Sequence, residues 1–204
     1  SLSVPHDLVI VASGPGTLEK TLVALCARNE RILSETSFLP LEEEACKRLW
    51  NLPVSVLEQY WYTPLWSSVA KVLPSIGRVD QVSLSGLHCH HAASIFRRIF
   101  QVGDEMPRML GSVDFPSQCI KTAARGGICL TGERQDYTRS LRVMRFERGL
   151  AVYDQSSNQY HSAFFGLHFE IRGEKGTITE AGVTMLDGHR YPMTLPFQFH
   201  TQRR

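Results

Sequence analysis

The sequence predicts an α+β fold, an antiparallel sheet covered on one face by about three helices, in a single domain over 1–204. Three observations predict it. Runs with a helical period crowd the first third, short β-rich runs fill the second half, and strand and helix signals nowhere alternate as βαβ units would. No repeat or composition break marks a second domain.

The elements follow in order. His6 to Gly16, HDLVIVASGPG, is a short β-rich run closed by a Gly-Pro-Gly turn. From Thr17, which can serve as an N-cap, Leu18, Leu22, Leu25, Cys26, Ile32 and Leu33 recur at helical steps and predict a first helix. Phe38 to Trp50 predicts a second: it starts near Pro40, places Glu42, Glu43 and Glu44 in its first turn and ends with Lys47 and Arg48, as the helix dipole favours. Val54, Leu57, Trp61, Leu65, Val69 and Val72 form one stripe of a third helix, which Pro64 should kink or split. Beyond Val79 the strand candidates are VDQVSLSGL, SLRVMRF, GLAVYDQ, SAFFGLHFEIRG and GTITEAGVTML, interrupted by one helix at Ala92 to Phe100.

The 204 residues, 43% apolar and 21% charged, can bury a core without a disulfide or metal staple. A net charge of +2 gives no bulk attraction to nucleic acid or membrane, and neither is expected as a partner. Five cysteines in no paired pattern suggest reduced thiols. No charged-then-apolar leader opens the chain, and Ser1 leaves room for an upstream segment.

Leu87 to Phe100, LHCHHAASIFRRIF, holds three histidines and a cysteine within five residues. A structural zinc site needs two separated ligand pairs, and consecutive His90 and His91 do not converge easily on one ion, so no metal is expected. The histidines instead lead into an amphipathic helix with Ala92, Ile95, Phe96, Ile99 and Phe100 on its apolar stripe and Arg97 and Arg98 on its flank. The SGPGT turn lacks the lysine of a P-loop and the third glycine of a dinucleotide fingerprint. Cys129, in GGICLTGE, reads as a half-buried strand cysteine, because nothing selects a base for it as a nucleophile. YWYTPLW cannot turn all its aromatics to one core and tilts the reading toward a binding surface.

The order of VIVASGPG, a helix, FLPL, a second and third helix, a β-run and SIFRRIFQVGDEMPRMLGSVDF resembles the HORMA-domain family, in its comet-type adaptors of the spindle checkpoint. The resemblance implies a HORMA-like fold with a C-terminal safety-belt region. It implies a non-enzymatic adaptor that binds a closed-state HORMA protein and presents it to an AAA+ remodelling ATPase of the Pch/TRIP type, without a cofactor, in the nucleus and cytoplasm, at kinetochore or spindle. On this resemblance Phe96, Glu35, Arg97, Ile99 and Phe100 would contact the partner, and Arg139 and Thr138 the ATPase. Leu195, Phe197 and Phe199 would form the self-strand of the safety belt. Two alternatives stay open: a HORMA protein capturing a peptide in meiotic, repair or autophagy complexes, and a metal- or cysteine-dependent enzyme using His88 to His91.

Overall fold

Strand β1 (Val9–Val11) leads through a short turn into helix α1 (Pro15–Cys26), and the chain returns as β2 (Ile32–Glu35), paired parallel to β1 in the register Val9↔Ile32. Strand β3 (Val54–Leu57) adds parallel to β2, giving the order β1-β2-β3. These assignments come from a computed structural model that describes residues 6–13, 15–28, 31–36, 54–124, 127–129, 131–157, 165–188 and 192–197. Packing divides the chain into two compact units, Ser1–Gln59 and Tyr60–Arg204.

The first unit corrects the expectation that βαβ alternation is absent, since β1, α1 and β2 form such a crossover. Leu18, Leu22 and Leu25 fall on one face of α1 and bury against Val11 and Ile32. Each fully buried aliphatic of this kind stabilises by about 1.5–3 kcal/mol. Ile32 and Leu33 continue the helical spacing in sequence yet belong to β2, because a strand of 4 residues is too short to show a period of its own. Helix α1 starts at Pro15, a residue suited to the first helical position, so Thr17 lies inside the first turn and accepts the Thr21 hydroxyl at its carbonyl, 2.9 Å away. The helix predicted over Phe38 to Trp50 lies outside the described residues.

The predicted third helix is corrected as well. Val54 and Leu57 sit in β3, Tyr60–Tyr62 form a 3-10 turn, and α2 spans only Pro64–Val72. Pro64 does not kink this helix; it begins it, after Thr63 in extended conformation at φ −68°, ψ 156°.

The second unit is built on eight strands: β4 (Val79–Ser85), β5 (Arg108–Ile120), β8 (Arg134–Arg145), β9 (Leu150–Ser156), β10 (His168–Gly173), β11 (Gly176–Thr179), β12 (Gly182–Leu186) and β13 (Pro192–Pro196). A small hairpin, β6 (Ala123–Ala124) and β7 (Gly127–Ile128), stands apart, and α3 (Cys89–Phe100) follows β4. The strand order is β13-β12-β11-β10-β4-β9-β8-β5. All neighbours are antiparallel except β4 and β9, which run parallel with Gln81↔Leu150 and Ser85↔Asp154 opposed. The sheet is therefore mixed, and the predicted antiparallel, HORMA-like sheet is corrected: among the described residues this unit has only α2 and α3 as α-helices.

Alternation along the strands separates two faces. Val82, Leu84, Ala151, Tyr153, Phe169, Ile171, Ile178 and Val183 form one core with Trp66, Val69, Ile95, Phe96, Ile99 and Phe100. Gln81, Ser83, Ser85, Asp154, His168 and Glu170 alternate with these and face the other way.

Candidate functional site

The run from β4 into α3 carries the cluster. After Ser85 the chain turns at Gly86, whose φ of +74° suits glycine, and a Cβ there would lie 2.3 Å from the Gly166 carbonyl oxygen. Leu87 is buried, and its carbonyl accepts the Tyr153 hydroxyl of β9 at 2.7 Å. His88, extended at φ −67°, ψ 154°, occupies the N-cap position, so His90 and His91 fall in the first turn of α3.

Four rings then pack together. His90 and His91 have centroids 4.0 Å apart, His88 and His90 5.7 Å, and the Tyr60 ring lies tilted against His91 at 4.2 Å. His91 is buried, whereas His88 and His90 are partly open to solvent. The cluster stands at the carboxyl end of β4, where the chain turns into α3. An imidazole can both give and take a proton near neutrality. Among the described residues no three His, Cys, Asp or Glu side chains are placed to hold a metal ion.

A second polar set lies on the other face of the sheet. His168 Nδ1 is 2.8 Å from Glu180 Oε1, and the Phe169 amide donates to Glu180 Oε2 at 3.3 Å. Burial pushes the Glu180 carboxyl up, but the His168 and backbone hydrogen bonds outweigh it and hold the group below its usual value. Arg139 grips Asp154 with both arms of its guanidinium, Nε to Oδ1 at 2.8 Å and Nη2 to Oδ2. That hydrogen bonding keeps Arg139 firmly charged against the opposing effect of burial.

The residues singled out from the sequence are dispersed. Phe96, Ile99 and Phe100 are 1%, 3% and 2% exposed and belong to the core, so they present no surface to a partner. Arg97 is half-buried and donates to the Glu105 carbonyl at 3.3 Å. Glu35 ends β2 in the first unit, exposed. Thr138 and Arg139 are ladder positions of β8 opposite Pro116 and Phe115. Leu195 is exposed on β13 and Phe197 packs against the core, while Phe199 lies outside the described residues. Cys129 follows β7, with its Sγ 3.3 Å from Thr131 Oγ1, and that contact holds its thiol below the ordinary value. The sequence reading places Tyr60 among the YWYTPLW aromatics without joining it to the histidines, which it takes chiefly as a lead-in to the helix. The available signal was a strand ending in Ser-Gly followed directly by a helix rich in imidazoles.

No protein-family model and no curated protein sequence matches the chain. Solved structures do. An oxidoreductase from Agrobacterium radiobacter in complex with NAD+, L-tartaric acid and magnesium superposes at TM-score 0.60 and 13% identity, covering 96% of this chain and 63% of that one. Biliverdin reductase from Synechocystis sp. PCC 6803, in complex with biliverdin and NADP+, gives 0.62 at 12% identity, covering 98% and 67%. Levoglucosan dehydrogenase with NADH and levoglucosan gives 0.60 at 14%, covering 93% and 61%. The chain thus has the fold of NAD(P)-binding oxidoreductases and spans about two thirds of their length. The HORMA resemblance is overturned by this likeness. With it go the non-enzymatic adaptor role, the spindle checkpoint setting, and the closed HORMA protein and AAA+ ATPase as partners.

The fold raises the question of a dinucleotide. A doubly wound dinucleotide fold has six parallel strands and binds where their order reverses. Among the described residues the first unit has three, in the unreversed order β1-β2-β3. In the sequence Gly14 and Gly16 match the fingerprint's first two glycines, but Glu19 stands where the third would be. Ser13 Oγ, buried without a hydrogen-bond partner ahead of α1, is one group left for a ligand. The described residues therefore do not fit a whole dinucleotide.

Proposed function

We propose that this chain forms the substrate-handling body of an oxidoreductase acting on a small hydroxyl- or carbonyl-bearing molecule. The observation that carries this reading is the packed His88, His90, His91 and Tyr60 cluster at the carboxyl end of β4, on a fold shared with dehydrogenases. Oxidising an alcohol releases its hydroxyl proton, and reducing a carbonyl requires one at the oxygen. His88 or His90, partly open to solvent, takes or gives that proton, while buried His91 and Tyr60 hold the exposed rings in place. The redox half of the reaction belongs to a carrier that the described residues do not hold, and no step is assigned to it.

The test uses the full-length protein with NAD+ or NADP+ and a panel of polyols, sugars and hydroxy acids, following formation of the reduced nicotinamide. Replacing His88 and His90 together by alanine should lower kcat by about 10²–10⁴ with little change in KM, and should abolish the neutral limb of the pH profile. Turnover unaffected by that double change would sink the assignment.

A further inference from the structure

A cleft of about 810 Å³ opens at the end of α3 opposite the histidines, about 18 Å away along the helix axis. It gathers arginines that the sequence scatters: Arg78 ahead of β4, Arg98 on α3, Arg145 at the end of β8 and Arg148 in the turn to β9. Elsewhere in this unit, Arg139, Arg142 and Arg172 lie against Asp154, Asp114 and Glu170. Among the described residues none of the four cleft arginines forms an ion pair, although Asp80 and Glu147 line the same cleft.

Two of the four are positioned without being neutralised. Arg98 lies over the rings of Trp61 and Tyr62 at 5.9 and 5.6 Å, and Arg148 donates to the Phe100 carbonyl at 3.4 Å and to Gln101 Oε1 at 3.5 Å. Arg148 thereby covers a carbonyl at the negative end of the α3 dipole, which would otherwise oppose an anion. Among the described residues Arg78 and Arg145 show no such side-chain contacts. Four guanidiniums against two carboxylates leave a surplus of two positive charges in a cleft whose remaining wall includes Trp61 and Leu73.

We infer that this cleft binds a phosphate monoester, its phosphate held by the arginines and its organic part set against the apolar wall that includes Trp61 and Leu73. A phosphate monoester carries about −1.5 to −2 at neutral pH on three terminal oxygens, matching the surplus charge and offering acceptors to more than one guanidinium fork. A single carboxylate supplies one charge and two oxygens, which leaves the cleft under-neutralised. The volume lies within the roughly 300–1,000 Å³ of small-molecule sites. The site shares no lining residue with the histidine cluster except its neighbourhood on α3, so it stands whether or not the proposed activity does.

The test is calorimetric titration of the full chain with adenosine 5′-monophosphate, ribose 5-phosphate, inorganic phosphate and citrate. Saturable binding of at least one monoester is expected, weakening as salt is raised. A preference for the adenosine compound assigns the apolar wall a part in recognition, and equal binding of both monoesters assigns recognition to the phosphate; either supports the site. Arg78→Glu with Arg145→Glu, both at exposed positions, should weaken binding about tenfold or more at an unchanged melting temperature. If that pair does not fold, Arg78→Ala and Arg145→Ala are measured singly. Absence of saturable binding by either monoester at millimolar concentration, tighter binding of citrate, or binding indifferent to the arginine changes would overturn the inference.

Discussion

Tyr153 donates its hydroxyl to the carbonyl of Leu87 at 2.7 Å, joining two buried positions 66 residues apart. The bond ties β9 to the turn that delivers His88, so the hydrophobic core and the histidine cluster are built on one contact.

Tyr153→Phe keeps the ring and removes the donor. A loss of about 1–2 kcal/mol in denaturant unfolding is expected, with a larger fractional effect on turnover than on substrate affinity because the turn before His88 loosens. Stability equal to the parent would show that the hydrogen bond contributes nothing net.

Gly86→Ala should be more severe. The new methyl would meet the Gly166 carbonyl oxygen at 2.3 Å and its carbon at 2.6 Å, on a backbone at φ +74°. Destabilisation of about 3 kcal/mol or more is expected from strain and forced displacement together. A melting temperature within error of the parent would mean that the turn relaxes without cost.

Phe96 lies edge-on to Tyr153, ring centroids 6.5 Å apart, and is 1% exposed. Phe96→Ala should cost about 3–5 kcal/mol of folding stability, as a large ring lost from a packed core. Thermal unfolding measures it, and a change of under about 1 kcal/mol would contradict the burial described.

The Glu180 carboxyl titrates lower when folded than its ordinary value of 4.5. A depressed folded pKa contributes stability that is present above the unfolded value and is lost as pH falls through the folded one. Unfolding free energy should therefore drop below pH 4.5 in a part that Glu180→Gln removes. Parallel pH curves for parent and variant across that window would show that the contacts with His168 and Phe169 carry no linkage.

Much of the local structure was legible. The stripe Leu18, Leu22, Leu25 announced α1, and Ala92, Ile95, Phe96, Ile99, Phe100 announced α3, since a 3.6-residue period survives over three turns. Alternation announced β8 to β12. β1 was legible as a β-rich run, but β2 and β3, of 4 residues each, look like extensions of neighbouring helices, so the parallel pairing of the three was not. The histidine cluster was visible as composition, but Tyr60, its fourth ring, comes from a segment some 30 residues away.

By itself the sequence determined which faces of α1 and α3 are apolar and where the later strands run, because periodicity is a property of adjacent residues. Only the tertiary structure decided what those faces meet. An apolar ridge headed by Phe96 serves equally well to dock a partner or to cover a sheet, and packing against Tyr153 settles it as core. The parallel pairing of β4 with β9 was decided there too, by hydrogen bonds between segments about 70 residues apart.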